Sequence, residues 1–145
     1  MTMAAVVILS TLFVSSMDPP EPPHVMKRTT YAADGLQVTL MITKEEGERI
    51  PSWNPETGEP APLSLKLAIE LARDSVRTQN SSFREFQVQS VETSRLDGRL
   101  NDRWYYVIKF RPVVEGRVLR GAAYVAMVLH DGTVKEPELS ERPSN

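Results

Sequence analysis

Apolar positions change their spacing along the chain, and each change marks an element. Leu36, Val38, Leu40 and Ile42 alternate with Gln37, Thr39, Met41 and Thr43, the pattern of a half-buried strand. From Leu63 to Gln79 the period becomes that of a helix. Leu65, Ala68, Ile69, Ala72 and Val76 recur at helical spacing to form one stripe, which Leu67 and Leu71 widen. Lys66, Glu70, Arg73, Asp74 and Arg77 take the other side. Pro62 suits a first turn, Ser64 offers a cap, and Asn80-Ser81-Ser82 ends the helix.

Alternation then returns. Phe86 and Val88 alternate with Glu85, Gln87 and Gln89, and two longer strands are expected over Trp104–Val114 and Val118–His130. Glu115-Gly116 joins the last two as a two-residue hairpin. Extending that hairpin sets Trp104 opposite Met127, Tyr106 opposite Val125, Ile108 opposite Ala123, Phe110 opposite Gly121 and Pro112 opposite Leu119. All of these are apolar or glycine, as one buried face requires. The expected fold is α+β: one long helix on an antiparallel four-stranded sheet in β-α-β-β-β order.

The ends read differently. Ala4 to Val14 is an eleven-residue apolar run, long enough for the core of a secretory signal. It is too short for a stable membrane span, which needs about 20 residues. No Lys or Arg precedes it, and cleavage is expected after Ser16. The organisation is thus a signal-like segment over residues 1–17, a proline-rich linker over 18–34, one domain over 35–134 and a polar, fraying tail over 135–145. Glu45–Pro62 reads as a long loop pinned to the domain by Trp53. The expected location is periplasmic or secreted, with the cytoplasm as the alternative.

Composition narrows the chemistry. The 145 residues include no cysteine, which excludes disulfides, thiol catalysis and cysteine-ligated metals. Two histidines far apart, His24 and His130, do not make a metal site. A net charge of −2 gives no general attraction to nucleic acid. The sequence contains no phosphate loop, dinucleotide fingerprint or metalloprotease helix, so no cofactor is expected. Glu45, Glu46, Glu48, Glu70 and Asp74 fall on a loop and a polar helix face, where nothing would tune them for acid–base work. His130 ends a strand beside Asp131-Gly132 and is expected to be exposed.

Two surfaces remain as candidates. Lys109, Arg111, Arg117 and Arg120 gather at one end of the last hairpin, with Arg111 opposite Arg120 in the expected register. Like charges placed so invite an anion or a partner, unless the arginines splay into water. The second surface is the outer sheet face, where Tyr105, Val107, Tyr124, Ala126 and Val128 are apolar enough for self-association or for cover by another part of the chain. The binding candidates are therefore Lys109, Arg111, Arg117, Arg120, Tyr105 and Tyr124, and no residue is assigned a catalytic role.

The order of elements resembles the cystatin-like fold, and the part from the helix to Val134 is similar to the PepSY family. The residues that carry this are Leu65-x-x-Ala68-Ile69-x-x-Ala72, Trp104-Tyr105-Tyr106-Val107-Ile108 and Val125-x-x-x-Leu129-x-Asp131-Gly132-x-Val134, about half the chain. The Gln-x-Val-x-Gly hairpin of cystatin inhibitors is missing: Arg95-Leu96-Asp97-Gly98-Arg99-Leu100 stands there, so protease inhibition is not implied. A PepSY resemblance implies a non-catalytic, exported binding or inhibitory module. Its partner is unspecified, either another protein or a second copy. The rival expectation is an enzyme or small-ligand carrier of a cone-shaped α+β type, with a pocket between helix and sheet.

Overall fold

The helical spacing yields α2, Leu65–Gln79, in a computed structural model that describes residues 23–31, 36–121 and 123–141. The signal-like segment and residues 32–35 of the expected linker and domain start lie outside the described residues. Ser64 caps α2, its hydroxyl accepting from the Leu67 amide at 3.2 Å. Ala68, Ala72 and Val76 are buried and Ile69 and Leu71 half-buried, whereas Leu65 and Leu67 each remain 44% exposed. The small residues of the stripe let α2 lie close to the sheet.

The fold is α+β with antiparallel sheets. The remaining elements are β1 (His24–Tyr31), β2 (Gln37–Thr43), α1 (Lys44–Arg49), β3 (Glu85–Arg95), β4 (Trp104–Val114), β5 (Arg117–Val118), β6 (Tyr124–Leu129), β7 (Val134–Lys135) and β8 (Glu138–Ser140). Short 3₁₀ turns occupy Pro55–Thr57 and Gly98–Leu100. The larger sheet runs β3-β4-β6-β7, with β5 paired to β4 beside it. The smaller sheet runs β1-β2-β8.

The single four-stranded sheet expected from the sequence is therefore two sheets. The strand before the helix, β2, pairs with β1 and β8 rather than with the meander. Residues 24–31 of the expected linker supply β1, and Glu138–Ser140 of the expected frayed tail supply β8. Helix α1 opens the segment read as a loop, started by a capping box between Thr43 and Glu46.

Each face of the larger sheet carries a buried core, centred on β4 and β6. On one face Tyr106, Ile108, Phe110, Ala126 and Val128 pack with Phe86 against α2. On the other, Tyr105, Val107, Met127 and Leu129 pack against Leu40 and Ile42 of β2, with Ile50 and Leu96. The molecule is layered as helix, sheet, sheet. Gly47 sits at the crowded edge of the second core. A Cβ there would lie 3.0 Å from Leu100 Cδ1 and Val25 Cγ2, so α1 approaches its neighbours through a missing side chain.

The expected register of the last hairpin holds at its tip and fails beyond it. Val113 pairs with Val118, and the Leu119 amide donates to the Pro112 carbonyl at 2.9 Å. The chain then leaves the ladder, bends at Gly121 with φ +97°, and re-enters with Phe110 opposite Tyr124 and Tyr106 opposite Val128. The offset is three residues, an odd number, so it exchanges the faces of β6. Tyr124, Ala126 and Val128 face the helix, and Met127 and Leu129 face the smaller sheet. A bulge after Val88 does the same for β3, keeping both Val88 and Val91 on the helix side.

Candidate functional site

The segment Ile50–Trp53 is laced to the connection between β3 and β4. Arg103 Nη1 donates to the Ile50 carbonyl at 2.6 Å, Ser52 forms an isolated bridge with Arg103, and the Trp53 amide donates to the Asp102 carbonyl at 2.9 Å. Asn54 caps the following 3₁₀ turn through its side-chain oxygen, and Gly58 closes it with φ +74°. The Trp104 indole N–H donates to the Trp53 carbonyl at 2.9 Å, and the Trp53 indole N–H donates to the Glu59 carbonyl at 3.0 Å. Both rings are thus oriented by backbone oxygens on the same segment.

These two rings, the chain's two tryptophans, meet edge to face with centroids 5.5 Å apart and planes at 71°. They wall an open pocket of about 390 Å³. Its rim carries Asn54, Glu56, Arg95, Asn101 and Asp102, with Pro55 beside them. Arg103 Nε lies 3.4 Å from the Asp102 carboxylate. The volume lies in the range of small-molecule sites.

Beneath Trp53 lies His130, expected to be exposed but 2% accessible. Its ring sits 4.8 Å from Tyr106 and 5.6 Å from Trp53, centroid to centroid. Among the described residues, neither ring nitrogen has a hydrogen-bond partner. Burial holds the imidazole pKa below its ordinary value. The correction has a physical cause: the Trp53 segment folds back over the end of β6 and closes it from water. The Tyr106 hydroxyl donates to the Leu63 carbonyl at 3.0 Å.

No protein-family model matches the chain, and no match is found among curated proteins or solved structures. The pocket is therefore read from its own chemistry. Among the described residues no group of three or more His, Asp or Glu side chains could hold a metal, and no helix is long and apolar enough to cross a membrane.

The structure disperses the six binding residues named from the sequence. Tyr105 is 6% exposed, and with Val107 it is covered by the smaller sheet, so the face proposed for self-association is interior. Tyr124 faces the other way, toward Phe83 and Phe86, and borders a narrow apolar cavity of about 180 Å³ with Val38, Val76 and Leu139. Lys109 adds its charge to the field that, after the Arg28 hydrogen bond, holds the Glu92 carboxyl below its usual pKa. Arg111 pairs with Gln87 of β3 instead of Arg120, and its Nε is buried without a hydrogen-bond partner among the described residues. Arg117 and Arg120 are exposed, Arg120 in the stretch that leaves the ladder.

Of the pocket residues, the sequence marks Trp53 as an anchor and Trp104 as an inner-face residue, but no spacing joins them. A signal was present. Trp53 stands in a polar, proline-rich segment where no core pattern calls for it, and the chain has a single other tryptophan.

Proposed function

We propose that this protein is a non-catalytic binding module whose ligand site is the Trp53–Trp104 pocket. The supporting observation is that both tryptophans wall one open cavity with their indole N–H groups already bonded within the protein. Such rings are held in place before a ligand arrives, so binding costs little side-chain ordering. The direct test is a small-molecule fragment screen followed by the two indole N–H resonances. Ligands are expected to shift both, and a set of ligands that all bind elsewhere would overturn the assignment.

The PepSY-like resemblance supports the same class of function, because α2 followed by β3, β4 and β6 keeps the helix-then-meander order. The cystatin-like likeness rests on that part alone, since β2 belongs to the other sheet. We place the module outside the cytoplasm on the signal-like Ala4–Val14 run. N-terminal sequencing after native expression tests this: cleavage near Ser16 is expected, and a retained Met1 refutes it.

The enzyme or carrier reading expects a pocket between helix and sheet, the face on which Tyr106 lies. Tyr106 is instead buried and bonded to Leu63, while Glu56 and Asp102 lie on the rim of the tryptophan pocket. That separation favours binding over acid–base chemistry.

A further inference from the structure

We infer that the tryptophan pocket takes a neutral, polyhydroxylated ligand, a short saccharide; this rests on the pocket being the ligand site. The walls and the rim divide the work. Because Trp53 and Trp104 donate their N–H groups to Glu59 and Trp53 carbonyls, their rings present carbon surface to the cavity. An aromatic face carries partial negative charge and attracts the weakly positive C–H groups of a sugar ring. Around that surface stand planar polar groups of mixed kind: the amides of Asn54 and Asn101, the carboxylates of Glu56 and Asp102, and the Arg95 guanidinium. Each hydroxyl of a saccharide both donates and accepts, so it needs donors and acceptors side by side, as this rim provides.

Other ligand classes fit less well. A phosphate or carboxylate ligand would meet Arg95 but also two carboxylates. A quaternary ammonium group seeks open aromatic faces without a competing cation. Here Arg95 shares the rim and supplies that competing cation. A purely apolar ligand would find Pro55 as the one further apolar side chain and would strip water from five polar ones. A neutral ligand with many hydroxyls offers a donor or an acceptor to each polar rim group.

The test is a tryptophan-emission titration of the full chain with a panel of neutral mono-, di- and oligosaccharides. Choline chloride and inorganic phosphate are run in parallel. The inference expects at least one saccharide to shift the emission saturably and with little dependence on salt, because no net charge is neutralised. Asn101→Ala and Arg95→Ala alter exposed rim residues and should weaken that binding by about tenfold at an unchanged unfolding midpoint. A response to choline or phosphate with none to any saccharide overturns the ligand class and leaves the pocket as the site. Silence of the emission to every probe, with indole resonances unmoved, overturns both. Saccharide binding that both rim variants leave intact also overturns the inference.

Discussion

The Trp104 indole N–H donates to the Trp53 carbonyl at 2.9 Å, so one wall of the pocket holds the other through its backbone. The bond spans 51 positions of sequence and ties the segment after α1 to the start of β4. The Trp53 ring in turn lies 5.6 Å from that of His130.

Trp104→Phe tests that tie. Phenylalanine keeps most of the ring but has no N–H, so the Trp53 carbonyl loses its donor. The expected loss is roughly 1 kcal/mol in urea unfolding, the net value of one such bond. The remaining Trp53 should report a more mobile environment by time-resolved anisotropy. Unchanged stability and anisotropy would show that the segment is held by Arg103 and Asp102 alone.

His130 predicts a pH dependence. Burial lowers its folded pKa, so the unfolded chain binds a proton that the folded chain refuses. The unfolded state then carries more protons, and stability rises with pH across the window between the two values. Stability should therefore decline as pH falls below about 6.5, the ordinary imidazole value, until the lowered folded value is reached. His130→Phe keeps a planar ring between Tyr106 and Trp53 and removes the titration. Urea unfolding from pH 5 to 8 should show the wild-type decline relative to the variant. Parallel curves would mean that the folded state finds a partner for the imidazolium.

Much of the fold was legible where side-chain periodicity is unambiguous. Helix α2 and β4 appear within a residue or two of their expected bounds, because 3.6- and 2-residue spacing sort their apolar positions. The register of β6 was not legible, because the criterion was that apolar pairs share a single face. In the structure the alternative face is buried as well, and Tyr105–Leu129 and Val107–Met127 are as apolar as the pairs first matched. Strand β8 joins β2 with Glu138, Leu139 and Ser140 all exposed, so its side chains leave no pattern to read. The pocket was invisible for a related reason: backbone carbonyls of Trp53, Glu59, Asp102 and Ile50 position it, and any sequence has those.

Glu46 supplies another measurable contact. Its carboxylate accepts from the Lys135 ammonium of β7 and from the Thr43 amide at 2.9 Å, linking the start of α1 to the last strand of the larger sheet. Burial pushes the carboxyl up, but the Lys135 and Thr43 hydrogen bonds outweigh it, and the net pKa lies below the ordinary glutamate value of 4.5. With a depressed folded pKa, the stabilisation is complete above about 4.5 and disappears as pH falls through the folded value. Glu46→Gln should cost about 1 kcal/mol at neutral pH and progressively less in acid. A difference that persists undiminished at low pH would assign the effect to packing. Combining Glu46→Gln with Lys135→Met isolates the pair.

The buried second face makes the last prediction. Ile42 is 0% exposed and packs with Leu40 against Tyr105, Val107, Met127 and Leu129. If the smaller sheet is part of one cooperative domain, Ile42→Ala leaves a cavity that this tight core cannot close. The expected loss is roughly 2–5 kcal/mol, in a single unfolding transition shared by the tryptophan and far-ultraviolet circular dichroism signals. If the smaller sheet were instead a detachable cover, the variant would shed it at little cost and expose Tyr105 and Val107. Light scattering would then show association through the freed face, with the tryptophan transition left in place.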